Sequence, residues 1–332
     1  MKIATRLVTA IVFLSIALPA TAFDVARQDV SDFIDEMVTE HDYDRDLLLS
    51  AMREAKSRQT ILDAISRPAE RTLTWAEYRK IFITEKRINA GVDFWREHEA
   101  TLLAIAENTG VPCEILVGII GVETFFGRIT GNYRVLDALA TLAFDYPPRS
   151  KFFRRELAEY LLLVREEGLD ATNPTGSYAG AMGAPQFMPS SFRAYAVDAS
   201  SDGRRDIWDN WTDVIGSVAN YFVAHKWRPG EEVVAHAMLA SDWTGRTPEN
   251  SLKLEQSVGS LSESGVMFAT ELDNESRASL LKLDGEEGAE YWVGFHNFFV
   301  ITRYNRSVMY ALAVHQLGEE IALARGRERD EQ

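Results

Sequence analysis

Residues 118–128 read Gly-Ile-Ile-Gly-Val-Glu-Thr-Phe-Phe-Gly-Arg, and this stretch carries one carboxylate, Glu123, among apolar neighbours. Upstream, Pro112 can occupy the first position of a helix, and Glu114 then falls in its first turn. Apolar residues recur through 115–122 at helical spacing, which predicts a helix with a buried face. Glu123 points to the same side as these apolar residues. The sequence therefore predicts a buried helix that carries an acid.

An acid in this position has two interpretations. Burial disfavours the charged form of a carboxyl group and raises its pKa, which suits a general acid that must hold a proton near neutral pH. Alternatively, Glu123 pairs with an arginine inside a helix bundle. From this one residue alone we favour the structural pairing. A catalytic role for Glu123 needs support from other parts of the sequence.

The composition is that of an ordinary globular protein. The chain has 332 residues, of which 46% are hydrophobic and 26% charged, enough for a substantial core. The net charge of -15 argues against nucleic-acid binding, which requires a clustered basic face. Cys113 is the single cysteine, so the chain cannot form an internal disulfide, and we expect this thiol to have a packing role.

The N-terminus has the pattern of a secretory signal. Lys2 and Arg6 supply positive charge, residues 7–18 are mostly apolar, and small residues at 20–22 fit a cleavage site. The apolar run is short for a membrane span, which favours a removable signal over a retained anchor. No cysteine lies near the expected cut, so a lipid anchor is not supported. We therefore expect an exported, soluble periplasmic protein without a transmembrane span in its mature chain.

Helical periodicity dominates up to Trp227, and strand-like patterns follow it. Residues 251–254 alternate polar with apolar, and 284–288 read as a hairpin turn leading into a strand. A helical segment returns at Phe298 and runs to about Leu323, and we expect the charged end beyond it to fray. These patterns predict a mainly α (α+β) protein.

The predicted units follow one another along the chain. They are a signal peptide (1–22), an N-terminal helical domain (23–100), a catalytic core (101–229), a small β-rich domain (230–296) and a C-terminal helical segment that completes the core and cleft (297–332).

A second informative segment runs from Asp198 to Asp209. Oxygen donors fall at its first, third, fifth, ninth and twelfth positions, with Gly203 sixth, close to the EF-hand calcium loop. Aspartate at the twelfth position is one methylene shorter than the usual glutamate, so Asp213 is a rival for the last ligand. A polar turn before a helix is the alternative, and we favour calcium because the glycine is correctly placed. The candidate ligands are Asp198, Ser200, Asp202, Arg204, Asp206, Asp209 and Asp213.

Two further segments contain candidate binding groups. One is rich in glycine, and the other combines aromatic side chains with an amide. Residues 176–191 contain glycines that let the backbone pass close to a helix or ligand, with Ser177 and Gln186 as hydrogen-bonding candidates. The segment lacks the ending of a phosphate-binding loop. Tyr304, Asn305 and Tyr310 combine aromatic faces with an amide, a combination typical of sugar sites and equally consistent with ordinary packing.

Four motifs occur in an order that resembles the lytic murein transglycosylase B family. They are Gly-Ile-Ile-Gly-Val-Glu-Thr (118–124), Gly-Ala-Met-Gly-x-x-Gln-Phe-Met-Pro-Ser-Ser (180–191), the Asp-rich loop, and Gly-Ser-Val-Ala-Asn-Tyr-Phe (216–222). The resemblance covers about residues 75 to 314. It implies a lysozyme-like helical core with an added helical domain, a small inserted β domain and a structural Ca²⁺ ion in an EF-hand-like loop.

The resemblance also implies roles for individual residues. Glu123 matches the catalytic acid of the family, with Ser177 close enough to orient it. The positions that match glycan-cleft residues are Tyr78, Arg149, Ser177, Gln186, Tyr304, Asn305 and Tyr310. The implied calcium ligands are Asp198, Ser200, Asp202, the carbonyl of Arg204, and Asp213.

The resemblance implies cleavage of the β-1,4 bond between N-acetylmuramic acid and N-acetylglucosamine in peptidoglycan strands, leaving 1,6-anhydromuramic ends. Ordinary glycosidases use two carboxylates, and the sequence near Glu123 offers only Glu114 and Asp137 as partners. The alternatives are a lysozyme-type muramidase, in which water attacks the same bond, and a non-catalytic, calcium-dependent peptidoglycan-binding protein. No organic cofactor is expected.

Overall fold

The computed structural model describes residues 21–67, 73–243 and 245–330. Most of the predicted signal peptide lies outside these ranges. Its last two residues form a short strand, β1 (Thr21–Ala22), which pairs antiparallel with β2 (Lys56–Ser57). The removal of this peptide therefore stays a prediction.

Helices make up most of the described chain. They are α1 (Gln28–His41), α2 (Arg45–Glu54), α3 (Gln59–Ile65), α4 (Trp75–Phe82), α5 (Glu85–Glu97), α6 (Glu99–Thr109), α7 (Cys113–Thr124), α8 (Val135–Phe144), α9 (Ser150–Glu167), α10 (Pro189–Tyr195), α11 (Trp211–Ala224), α12 (Val258–Glu263), α13 (His296–Tyr304) and α14 (Val308–Asp330), with one 3-10 helix at Pro147–Arg149. The remaining strands are β3 (Tyr133–Arg134), β4 (Thr175–Gly176), β5 (Val234–Leu239), β6 (Gln256–Ser257), β7 (Val266–Met267), β8 (Arg277–Gly285) and β9 (Gly288–Gly294). This mainly helical architecture with one small sheet confirms the predicted fold class.

Helix α7 is buried on every side rather than on one face. All residues from 115 to 122 are buried, because the helix is apolar around its whole circumference. Pro112 occupies the position just before the helix and makes no side-chain capping hydrogen bond, so the predicted start was early by one residue. Glu123 lies half-buried near the C-terminal end, and the chain leaves the helix through a left-handed residue, Phe125 (φ 51°).

Helices α7 and α14 pack closely because each presents a glycine to the backbone of the other. A Cβ on Gly118 would lie 2.4 Å from the carbonyl oxygen of Val314, and one on Gly318 would lie 2.2 Å from that of Glu114. A side chain does not fit at either position, so only glycine permits this approach. The two contacts fix an antiparallel register, which decides what lies beside Glu123.

The β-rich region forms one antiparallel five-stranded sheet in the order β6-β8-β9-β5-β7. Strands β8 and β9 form the predicted hairpin, in which Gly285 pairs with Gly288 across a turn made by two glutamates. The sheet encloses its own small core, made by Ala237, Val258, Leu261, Val266, Ala278, Leu280, Val293 and Phe295. This separate core agrees with a distinct unit, although the predicted domain boundaries themselves stay a prediction.

Three local predictions were wrong. Residues 251–254 form no strand, and the edge strand β6 begins only at Gln256. The helical segment from Phe298 breaks at Asn305, which adopts extended backbone between α13 and α14. The charged end is helical up to Asp330, because Arg325 pairs with Glu99 and so ties this end to α6.

Among the described residues, no single helix is long and apolar enough to cross a membrane. The pair α6 and α7 reaches that length and composition only together, across a bend of 117°.

Candidate active site

Glu123 receives a short hydrogen bond from the last helix. The hydroxyl of Tyr310 donates to Oε1 of Glu123 over 2.5 Å. Tyr310 is buried, and its pKa is raised well above the usual range first by this burial and then by the negative charge of Glu123. The phenol therefore keeps its proton and fixes the orientation of one carboxyl oxygen. The antiparallel register of α7 and α14 brings these two residues together.

Tyr304 and Asn305 lie just before α14, at the junction with α13. The hydroxyl of Tyr304 donates to the carbonyl of Pro185 over 2.6 Å, and its ring packs on Tyr221 and Phe187. Burial, followed by the charge of Glu123, raises the pKa of Tyr304 well above its usual value. The Asn305 side chain is half-buried and makes no hydrogen bond within the described chain. Tyr304 thus supports the wall of the site, while the amide of Asn305 is available to a ligand.

The glycine-rich segment forms a tight loop beside this wall. The hydroxyl oxygen of Ser177 accepts hydrogen bonds from the backbone N–H groups of Ala181 (3.1 Å) and Ala179 (3.3 Å). These two bonds hold the Ser177 side chain against its own loop. A hydrogen bond to Glu123 comes from Tyr310, and an orienting role for Ser177 stays a prediction.

Gln186 is held rigidly in the same segment. Its backbone is left-handed (φ 53°), and its side-chain amide donates to the carbonyls of Thr130 (3.0 Å) and Gly183 (2.9 Å). Both amide hydrogens are thereby used, so Oε1 is its remaining hydrogen-bonding atom and accepts nothing from the described residues. The arrangement presents one fixed acceptor.

The other two predicted cleft residues differ in their surroundings. Tyr78 on α4 is buried, and its ring centroid lies 5.0 Å from that of Phe82. Arg149 is exposed, and its guanidinium stacks on Phe152, 4.4 Å from the ring centroid. Among the described residues, the ring contacts of Arg149 are with Phe152 and Phe153, and a place for it in the glycan cleft stays a prediction.

Neither acid that the sequence offered as a partner for Glu123 is available to it. Asp137 is buried and accepts hydrogen bonds from Arg58 and Arg134, so it serves to tie the N-terminal segment to α8. Glu114 lies nine residues earlier on the same helix, about 13 Å away along its axis. The two-carboxylate arrangement of ordinary glycosidases is therefore not supplied by these acids.

The Asp-rich loop connects α10 to α11 and gathers three carboxylates. Oxygen atoms of Asp198, Asp202 and Asp213 all lie within 4.8 Å of one another. Desolvation opposes the ionisation of Asp198, yet hydrogen bonds led by that from the backbone N–H of Gly203 hold its pKa below the ordinary value. Several oxygen donors at this spacing fit a hard cation such as Ca²⁺.

The remaining candidates divide by position. The carboxylate of Asp213, which is fully buried, accepts hydrogen bonds from the backbone N–H groups of Ser200 and Asp206. The loop therefore folds around this carboxylate. The Asp206 side chain instead caps a turn by accepting from Trp208 and Asp209, and Asp209 is exposed. The structure thus gathers Asp213, rather than Asp206 or Asp209, with the other two acids. Ser200 and Arg204 lie in the same loop.

Comparison with known proteins fits this geometry. The family model of the transglycosylase SLT domain matches residues 25–319, which is most of the chain. The chain belongs to this transglycosylase family. It is 45% identical over 306 residues to the membrane-bound lytic murein transglycosylase B of Escherichia coli (strain K12), covering 90% of this chain and 83% of that protein.

Two crystal structures of family members are similar along most of the chain. The soluble lytic transglycosylase SltB1 from Pseudomonas aeruginosa has 52% identity and a TM-score of 0.83, covering 89% of this chain and 99% of that one. The Escherichia coli lytic transglycosylase Slt35, solved in complex with calcium, has 44% identity and a TM-score of 0.83, covering 92% and 96%. The family and the fold implied by the sequence motifs are confirmed.

One feature of this transglycosylase was not predicted from its sequence. Three cations, Lys86, Arg87 and Arg128, surround the ring of Phe125, two residues after Glu123. The only sequence signal is the pair of basic residues at 86–87, which is unremarkable on an amphipathic helix. The cluster forms because α5 and the turn after α7 meet in space.

Proposed function

We propose that this protein is a lytic transglycosylase that cleaves the β-1,4 bond between N-acetylmuramic acid and N-acetylglucosamine in peptidoglycan and leaves 1,6-anhydromuramic ends. The proposal rests on the family to which the chain belongs. The observation that carries it is a single half-buried carboxyl group, Glu123, held by the phenol of Tyr310. The neighbouring acids Glu114 and Asp137 are not placed to act as a second carboxylate.

In the first step, Glu123 acts as the general acid. It donates its proton to the oxygen of the scissile bond, and the bond between this oxygen and C1 of the muramic sugar breaks. The N-acetylglucosamine portion leaves with a free hydroxyl. The acetamido carbonyl of the muramic sugar stabilises the positive charge at C1, so the substrate takes the place of the second carboxylate. Tyr310 keeps Glu123 oriented throughout.

In the second step, the ionised Glu123 acts as the base. It accepts the proton of the C6 hydroxyl of the same muramic sugar, whose oxygen attacks C1 and closes the anhydro ring. Glu123 is then protonated again, and no water is consumed. We assign the remaining predicted residues to sugar binding: Tyr78, Arg149, Ser177, Gln186, Tyr304 and Asn305.

Calcium and export complete the proposal. Asp198, Asp202 and Asp213 would hold Ca²⁺ together with oxygen atoms of Ser200 and Arg204, and the similarity to Slt35, which was solved with calcium, supports this. A hard cation bound by these groups would stabilise the loop and take no part in the reaction. The protein would be exported to the periplasm by the signal at 1–22 and there meet peptidoglycan, whose muramic acid residues bear short peptides.

Mass spectrometry of the soluble products tests this function. Purified peptidoglycan is incubated with the mature protein or with Glu123→Gln, which keeps the size of the side chain and cannot donate the proton. We expect fragments lighter by one water than hydrolysis products from the wild type, and a rate ~10²–10⁴-fold lower from the variant. Fragments of full mass would indicate a muramidase. Binding without any products would indicate the non-catalytic alternative.

A further inference from the structure

The aromatic ring of Phe125 is surrounded by three cationic side chains. The guanidinium carbons of Arg87 and Arg128 each lie 5.0 Å from the ring centroid, and the Lys86 ammonium lies 5.8 Å away. Lys86 and Arg87 come from α5, whereas Arg128 comes from the turn after α7. We call Lys86, Arg87, Phe125 and Arg128 the cationic cluster.

The cationic cluster has no acidic partner in the described chain. None of its three cations forms an ion pair there, although the protein has 50 acidic and 35 basic residues. The Nε atom of Arg87 is buried without a hydrogen-bond partner, and desolvation lowers the pKa of this side chain. Gathering like charges without compensation costs free energy. A bound anion would offset this cost by compensating the positive charges.

The cluster lies near two residues of the proposed site, Glu123 and Tyr78. Phe125 follows Glu123 by two residues, so their α-carbons lie within about 7 Å of each other. In addition, Arg87 lies 5.0 Å from the ring of Phe82, which in turn lies 5.0 Å from that of Tyr78, a proposed sugar-binding residue. A continuous row of side chains therefore connects Tyr78 to the cations.

We infer that the cationic cluster binds the carboxylates of the peptide stems carried by the glycan strand, so that the enzyme prefers peptide-bearing strands to naked ones. This inference rests on the proposed function. Sugar hydroxyls give no reason to gather three cations. A naked strand keeps a lactyl carboxylate directly on each muramic acid, whereas a stem peptide carries its carboxylates further from the sugar, where a cluster beside the cleft can bind them. Guanidinium groups bind carboxylates with charge-assisted hydrogen bonds. Phe125 holds the cations in place between encounters.

The test compares two substrates and two double variants. Glycan strands are prepared with their peptides, or with the peptides removed by an amidase, and anhydro products are quantified to obtain kcat/KM for each. The variant Lys86→Gln/Arg128→Gln removes the two exposed cations of the cluster. The matched control Arg53→Gln/Lys253→Gln removes two exposed cations elsewhere, so both proteins carry the same net charge. Melting curves establish that the variants are folded.

We expect the wild type to prefer peptide-bearing strands. In the cluster variant the ratio of the two kcat/KM values should fall by about tenfold, mainly through KM, while the control keeps the wild-type ratio. Amidating the stem carboxylates should reduce the preference of the wild type and have little further effect on the cluster variant. The preference should also weaken as salt is added.

Two outcomes overturn the inference, and they differ in what else they affect. In the first, the wild type cleaves both substrates while the ratio of the two kcat/KM values is the same in the cluster variant. In that case the cluster does not bind the stem peptides, and the proposed function still stands. If the wild type releases no anhydro products from either substrate, the proposed function fails and this inference fails with it.

Discussion

The packing of α7 on α14 gives the sharpest prediction about how the fold builds the site. In Gly118→Ala the new Cβ would lie 2.4 Å from the carbonyl oxygen of Val314, whereas ordinary contact begins at 3.4 Å. The helices must therefore separate by about 1 Å at this point, since close-packed interiors do not absorb such an overlap. The same separation would stretch the 2.5 Å hydrogen bond from Tyr310 to Glu123 to about 3.5 Å, beyond hydrogen-bond range.

We expect two measurable effects of Gly118→Ala. Overpacking should lower the free energy of unfolding by about 1–3 kcal/mol, measured by thermal or denaturant unfolding followed by circular dichroism. Misplacement of the Glu123 carboxyl by about 1 Å should lower kcat by up to ~10²-fold, measured as the rate of release of soluble fragments from peptidoglycan.

The control is Gly326→Ala in α14 itself. A Cβ there meets nothing within 4 Å, so this change should leave activity intact and stabilise the helix by roughly 0.5–1 kcal/mol. If Gly118→Ala melts like Gly326→Ala and retains its kcat, the close approach of the two backbones does not position the site.

Three further predictions concern single groups. Tyr310→Phe should keep the fold and lower kcat by about tenfold, because Glu123 loses the hydrogen bond that orients it; an unchanged kcat would contradict this role. A calcium chelator should lower the melting temperature of the wild type and of Asp209→Asn, but not that of Asp213→Asn, whose melting temperature should already be lowered. Burial raises the pKa of the Cys113 thiol to about 11, so alkylation at pH 8 should be slow in the native protein and fast in urea; equal rates would place the thiol at the surface.

Sequence periodicity and motifs anticipated the elements that depend on local chemistry. Helix α7 with Glu123 near its end follows from a dense apolar run, and the β8–β9 hairpin follows from glycines flanking a polar turn. The break at Asn305 was missed because no proline or glycine marks it. The helical end of α14 was missed because the contact of Arg325 with Glu99 joins residues far apart in the chain.

The candidate site divides in the same way. Glu123 and the Asp-rich loop stand out in the sequence because a carboxylate among apolar residues and a spaced set of oxygen donors are local patterns. The choice of Asp213 over its neighbours depends on how the loop folds back onto α11, which spacing alone does not specify. The contact of Tyr310 with Glu123 and the cationic cluster depend on how separate helices meet, so only the structure brings them together.

In the proposed reaction, Glu123 works with the substrate's own hydroxyl and without water. The most direct measurement digests purified peptidoglycan with the wild-type protein in water labelled with heavy oxygen and examines the new muramic ends by mass spectrometry. We expect anhydro ends that contain no heavy oxygen. One heavy oxygen at C1 of each new end would show instead that water attacks the bond.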